Sequence, residues 1–410
     1  MARALAAVVE AAMSRPGGRG SAAAFDVVVI GAGPAGACAA IAAVRAGART
    51  MLVERSALPR PKVCGCCLTA AGAALLREIG AGSVLADACP LTRVRVGAGG
   101  RSLSLGRSGG VAIGRDVLDF RLAECARAVG VEVRTETSAR VEPSPVEPSP
   151  LEPSGAARRV VRLAGACPGT VECGVVIVAD GLGGTALGDS AEFGWRVAPR
   201  SLMGLGATVP SGAIDCADGE IHLRVSRGGY IGTVRLPDGS LDVAAAVAPD
   251  RLRDARDAAT CAIELLGPTV RRESDLRSAR WRGTPALTRT RATVAAAGIL
   301  VVGDAAGYVE PFTGEGMTWA IETGRAAGEL AARGAEAAQL WPAVHAKLVA
   351  APRLRCRVVA TVLRSPALTS TLLFAGSLVP FPFERFASSI GREARAIRAH
   401  PQAAPAQAQG

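Results

Sequence analysis

Three glycines and two carboxylates carry the plainest chemistry in this chain of 410 residues. In DVVVIGAGPAGACAAIAAVRAGARTMLVER, from Asp26 to Arg55, the residues Gly31, Gly33 and Gly36 are spaced for dinucleotide binding. At this spacing a strand turns tightly, admits a pyrophosphate to the backbone and packs the next helix on the sheet. Pro34 opens that helix, whose free N–H groups and positive dipole end face the phosphates. Glu54 closes the second strand eighteen residues after Gly36, where its carboxylate accepts hydrogen bonds from both ribose hydroxyls. An acid there argues against a 2′-phosphate and so against NADP in this pocket. A later segment, GDAAGYVEPFTGEG, puts Asp304 at the end of an apolar strand, in reach of a sugar or ribityl hydroxyl, and Gly314 and Gly316 at the start of a helix. Cys64, Cys66 and Cys67 in CGCC resemble a metal or redox cluster. No second pair stands at zinc-ligand spacing, and His222, His345 and His400 are far away in sequence, so no metal is expected.

Regular elements must hold these residues. After the first strand–helix–strand unit the pattern predicts a helix from about Thr69 to Ile79 and short strands near 92–96 and 101–105. GRDVLDFRLAECARAVGVEVRTE predicts a helix and a strand, with Leu118, Leu122, Cys125 and Val129 at helical spacing. VECGVVIVADG reads as a strand buried on both faces of a parallel sheet. Alternating strands follow over roughly 200–248, then one helix from about Asp250 to Leu266, a buried strand at Gly298 to Asp304 and a long helix beginning at GEGM. Between them EPSPVEPSPLEPS alternates proline with acid and cannot pair in a sheet, which predicts an exposed insert over 142–154. The last apolar stretch is cut by Pro366, Pro380 and Pro382, which predicts packed or surface-lying helices rather than a membrane span.

Composition narrows the partners. The net charge is +11, yet only Lys62 and Lys347 are lysines among 47 basic residues, an imbalance of codon usage rather than a nucleic-acid signature. No basic run interleaved with aromatics accompanies it, so no nucleic acid is expected, whereas the positive balance suits contact with an anionic membrane surface. Eleven cysteines without a secretory signal point to a reducing cytoplasm, and residues 1–24 read as a disordered leader.

Five motifs in order resemble FAD-dependent oxidoreductases of the geranylgeranyl reductase type, within the wider group of aromatic hydroxylases and flavin halogenases. They are the Asp26–Arg55 fingerprint, PRPKVCG at 59–65, GRDVLDFRL at 114–122, VADG at 178–181 and GDAAGYVEPFTGEGM. The resemblance implies an α/β (α+β) fold: a Rossmann-like FAD-binding domain over 25–90, 106–195 and 290–335, with an interleaved antiparallel-sheet substrate domain over 91–105 and 196–289. C-terminal helices over 336–395 and a disordered tail over 396–410 complete it. It also implies that Ala35 and Glu54, with Arg55 beside them, hold the adenosine end and that Cys64 and Gly65 lie near the flavin. Arg115 then pairs with phosphate or ribityl oxygens, Asp304 binds the ribityl chain, and Gly316 and Met317 donate N–H groups to the ring. Lys62, Cys64 and Cys66 are the candidate catalytic residues, with Tyr230 and Cys67 as substrate contacts. Lys62 stands out because a chain that uses arginine almost everywhere keeps a compact ammonium at this turn. Relatives of this type carry an aromatic-rich Tyr-x-Trp-x-Phe-Pro stretch in the substrate sheet, where this chain reads GGYIGTVRLPDG and keeps Tyr230 and Pro237.

The expected activity is reduction or dehydrogenation of an apolar isoprenoid or polyketide-like substrate through flavin N5. NAD(P)H or a reduced carrier protein serves as transient donor, since no second glycine fingerprint supplies a nicotinamide domain. The alternatives are oxygen-dependent hydroxylation or epoxidation through flavin C4a, and a flavin-binding protein without catalysis.

Overall fold

The computed structural model describes residues 25–106, 109–143, 158–188, 190–310 and 315–389. Along the chain, β1 (Phe25–Ile30), α1 (Pro34–Arg45) and β2 (Thr50–Val53) form the first crossover unit, followed by α2 (Ala70–Glu78), β3 (Arg93–Ala98) and β4 (Arg101–Gly106). Next come α3 (Arg115–Ala128), β5 (Glu132–Arg134), β6 (Thr137–Val141), β7 (Arg159–Gly165) and β8 (Gly169–Val178). The middle of the chain contributes β9 (Met203–Val209), β10 (Glu220–Ser226), β11 (Gly229–Arg235), β12 (Leu241–Val247), α4 (Pro249–Asp254), α5 (Ala258–Leu266) and α6 (Glu273–Ser278). It ends with β13 (Arg282–Ala286), β14 (Ile299–Val301), α7 (Gly316–Ala331), α8 (Ala337–Leu363), α9 (Pro366–Leu378) and α10 (Pro380–Ser389).

The first sheet orders β14, β8, β1, β2 and β5 side by side, all parallel, and β7 and β6 extend it antiparallel from the first half of β8. Its strands alternate between two cores. Val27, Val29, Leu52, Val175, Ile177 and Leu300 meet the helices α1, α2, α3 and α7, while Val28, Ile30, Met51, Val176 and Val301 fill the opposite face. Residues buried on both faces explain why β1 and β8 read as continuous apolar runs. α7 crosses α1 so closely that Gly324 and Gly328 face the backbone of Ala35 and Ala39. That contact brings the start of α7 to the glycine turn.

The second sheet has the order β13, β9, β12, β11, β10, β3, β4, antiparallel except for the parallel pair β10 and β3. Leu205, Ile231, Val243 and Ala245 pack on Leu265 and Leu266 of α5. The alternate residues face the first sheet, and a cavity of about 490 Å³ lies between the two.

The single helix expected over 250–266 is two helices. Arg256 adopts φ 70°, which interrupts the helical ladder, and Asp257 caps α5 by accepting the Thr260 N–H at 2.8 Å. The leader at 1–24, the tail at 396–410 and the insert at 142–154, apart from Glu142 and Pro143, lie outside the described residues. Among the described residues no single helix is long and apolar enough to cross a membrane.

Candidate active site

The glycine turn is shaped by close approach. Gly31 adopts φ +104°, and a β-carbon there would stand 2.5 Å from the Ala179 carbonyl oxygen; one at Gly36 would collide with the Gly31 carbonyl. Gly33 differs, since its side opens toward the cavity with Arg115 Nη2 3.6 Å from where a β-carbon would sit. α1 begins at Pro34 with no capping side chain and no acid in its first turn. α7 likewise begins without a side-chain cap or an early acid, and its Gly316 and Met317 line the same cavity. Two positive helix ends therefore point into one space, a setting that favours anionic oxygens and an electron-rich ring edge.

A buried charge network stands beside the turn. Glu54 accepts the Ala32 N–H at 3.0 Å and the Ser56 N–H at 3.1 Å, and Arg60 reaches it at 3.0 Å. Arg60 also pairs with Asp119 at 3.2 Å, and Asp119 holds Arg115 through two parallel bonds of 2.9 Å. Burial alone would push the Glu54 carboxyl up, but Arg60 and the two backbone donors outweigh it and hold the group below its ordinary range. Glu54 thus spends part of its accepting capacity on tying the turn to its own chain. Asp119 fixes the orientation of Arg115, whose guanidinium faces Gly33.

The CGCC turn presents Cys64, Gly65 and Cys67 to the cavity, whereas Cys66 is buried behind them. Cys66, with φ 49°, packs there against Cys64 and Asp242 of β12. The Cys66 thiol and the Arg115 guanidinium lower the Cys64 thiol, while hydrogen bonding to Cys64 and burial raise Cys66. Burial also raises Asp242 well above a normal carboxyl, and its Oδ2 is buried without a hydrogen-bond partner. On the other side, Lys62 lies against Gly181, with Nζ 3.0 Å from where a β-carbon would sit. Burial and Arg115 lower the Lys62 ammonium, opposed by Asp304 and Asp119. Burial raises Asp304, offset by Lys62 and Arg115.

Ala35, Arg55, Lys62, Arg115, Tyr230 and Asp304 also line the cavity. Gly31 and Gly36 lie beneath it as structural contacts, Glu54 stands behind Ala32, and Gly314 lies outside the described residues. FAD fits this arrangement. Its pyrophosphate would have an uncapped helix end and the open side of Gly33, its hydroxyls would have Asp304 on the cavity wall and Glu54 behind the turn, and Asp180 adds a buried Oδ1 without a partner on that wall.

Comparison with known proteins agrees. Residues 26–76 match the model of the FAD dependent oxidoreductase family. The menaquinone reductase of Mycobacterium tuberculosis is 30% identical over 344 residues, covering 78% of this chain and 79% of that protein. This chain belongs to the FAD-dependent oxidoreductases of the geranylgeranyl reductase type. A digeranylgeranylglycerophospholipid reductase of Methanoculleus marisnigri is 27% identical over 325 residues, covering 75% of this chain and 77% of that one. A solved geranylgeranyl bacteriochlorophyll reductase-like protein of Thermoplasma acidophilum shares the fold with a TM-score of 0.69 at 19% identity, over 85% of this chain and 90% of that one. The chain is therefore a flavoenzyme.

Sequence reasoning missed Arg60, Asp119, Asp180, Asp242 and Tyr308 of this flavoprotein's site. Asp119 had a readable signal, four residues after Arg115 on one helix face. Asp242 had a weaker one, a lone acid at an inward position of an apolar strand. The chain's two tyrosines, Tyr230 and Tyr308, both line the cavity.

Proposed function

We propose that the protein reduces a carbon–carbon double bond in a long isoprenoid chain, such as the tail of a menaquinone or a prenyl lipid. The floor of the cavity carries this reading. Gly204, Gly232, Ala244 and Ala246 form a smooth strip across three strands, walled by Val94, Val96, Leu105, Ile221 and Leu223. A surface of small and branched apolar side chains leaves room for a flexible aliphatic chain and offers few groups that would hold a compact polar ring. The names of the menaquinone and digeranylgeranylglycerophospholipid reductases support the same substrate class, since both substrates carry isoprenoid chains.

Bound FAD, once reduced, supplies the electrons and one hydrogen for such a bond. The chain's own residues do the rest. Arg115, fixed by Asp119, and the uncapped start of α1 hold the phosphates, while Asp304 and Glu54 hold hydroxyls. Cys64 Sγ is the atom of the thiol pair that meets the cavity; its pKa is lowered to about 6, so it delivers a proton from its protonated fraction. The Cys66 thiol donates a hydrogen bond to it from behind, and the Asp242 carboxyl, raised by burial, stands next in line. Lys62 balances Asp304 and Asp180. The sheet floor excludes water from the reacting carbons. Reducing equivalents come from NAD(P)H or a carrier protein that docks transiently.

The test is anaerobic turnover of the dithionite-reduced holoprotein with a detergent-solubilised menaquinone, read by mass spectrometry. The expected product gains two hydrogens, and Cys64→Ser lowers turnover by roughly a hundredfold or more while retaining the flavin. A product that instead gains oxygen, formed only in air, would replace this reading by a monooxygenase.

A further inference from the structure

Exposed apolar side chains are concentrated in one stretch of the chain. Among the described residues eleven large hydrophobic side chains are exposed, and seven of them fall between 354 and 381. Leu354 and Val358 lie one turn apart on α8; Leu368, Phe374 and Leu378 follow on α9, and Val379 and Phe381 continue the patch. The buried residues of the same helices, Val359, Leu363 and Leu373, face the other way into the protein. α9 thus has one apolar face inside and a second outside, which a water-facing helix does not need.

The charge around the patch is one-sided. From Ala337 to Ser389 the sequence carries Lys347 and five arginines against a single acid, Glu384; Arg355 and Arg364 pair with Glu315 and Glu310 of the preceding segment, and Arg357 and Arg385 are left at the surface. The Arg101 guanidinium lies 4.8 Å over the Phe374 ring, its charge at the edge of the apolar surface. The geometry argues against a crossing. α8 and α9 meet at a bend of 101°, and much of α8 is committed to the core through Trp341, Val349, Cys356 and Val359. Helices of this length, apolar on one side and basic at the rim, lie in the plane of a bilayer interface.

The patch is continuous with the cavity. Val359, Leu363 and Leu373 pack in one cluster with Val96, Leu105 and Tyr230, and these last three line the cavity. One layer of side chains separates the outer surface from the proposed isoprenoid site.

We propose that the outer face of α9, with the end of α8 and the start of α10, docks on an anionic lipid bilayer. Phe374, Leu378 and Phe381 enter the acyl boundary, and Arg101, Arg357 and Arg385 sit at the phosphate level. The location beside the cavity rests on the function proposed above, but the docking itself does not.

The experiment is flotation of the full-length holoprotein with vesicles of phosphatidylglycerol and phosphatidylcholine, compared with phosphatidylcholine alone. The expected result is binding to the anionic vesicles that weakens as salt rises. Phe374→Ser with Leu378→Ser lowers the partition by at least about tenfold, and Arg357→Glu with Arg385→Glu does the same on anionic vesicles only. Flavin absorbance of each variant reports that it is folded. As a second readout, Phe374→Trp gives blue-shifted emission with anionic vesicles, quenched by brominated lipid. Absence of vesicle binding, or variants that partition like the parent, overturns the proposal. So does a concentration-dependent dimer abolished by the same serine variants without vesicle binding, since a second copy would then cover the face. Turnover of a detergent-solubilised substrate is unchanged in the serine variant; its loss in every variant and the parent would instead count against the proposed function.

Discussion

Asp119→Ala removes the anion at the centre of a buried network and leaves two cations behind. The Asp119 side chain is 0% exposed, Arg115 7% and Arg60 16%. Arg60 keeps Glu54 as a partner, but Arg115 loses both of its carboxylate bonds in a place where water reaches it poorly. Breaking a buried pair from one side costs about 3–5 kcal/mol, because the remaining charge stays desolvated. That is a loss of between about a hundredfold and several thousandfold in the folding equilibrium. Urea unfolding of the flavin-free variant, followed by circular dichroism, reads this value directly. FAD affinity, followed by flavin fluorescence, falls by about tenfold or more, because Arg115 is no longer held against Gly33. Asp87→Ala is the matched control, since its pair with Arg121 is largely in solvent and is worth under about 1 kcal/mol. An Asp119→Ala protein within about 1 kcal/mol of the parent, with unchanged FAD affinity, would refute the claim that this network orients the cofactor site.

Two further perturbations probe the turn and the sheet. Gly36→Ala drives a β-carbon into the Gly31 carbonyl, so the purified variant is expected to be colourless and to take up added FAD poorly; a yellow, fully loaded variant would contradict the packing described. Asp242→Asn tests the buried acid through pH. Burial raises the Asp242 carboxyl in the folded protein, so its contribution to stability is fully present below the ordinary carboxylate range near pH 4 and is lost as pH rises. The Asn variant therefore gains stability relative to the parent between about pH 4 and neutrality, while its turnover falls because the proton line ends at Cys66. Parallel stability curves across that range would show that Asp242 is ionised and not part of the line.

The parts of the site built within a short run of chain are legible in the residues alone. Gly31, Gly33, Gly36 and Glu54 belong to a single strand–turn–helix–strand unit, and each has a local reason for its residue type, a tight φ, a close carbonyl or a strand end. Asp304 and Gly316 are readable for the same reason. Local reading also errs where a local device intervenes, as when Arg256 in a left-handed conformation splits one expected helix into two.

The sequence by itself determined that a dinucleotide meets the start of α1, because strand period, glycine spacing and a terminal acid are all encoded within about thirty residues. The tertiary structure alone decided which groups surround that cofactor. Asp242 lies more than 170 residues from Cys66 along the chain. The two meet only because the second sheet folds its inward face over the CGCC turn. Cys66 falls behind Cys64 through one positive φ, and the small residues of three strands become a floor only once β9, β12 and β11 pair in register. Spacing along a chain specifies local geometry; burial, charge pairing and proton affinity depend on neighbours brought together from far apart.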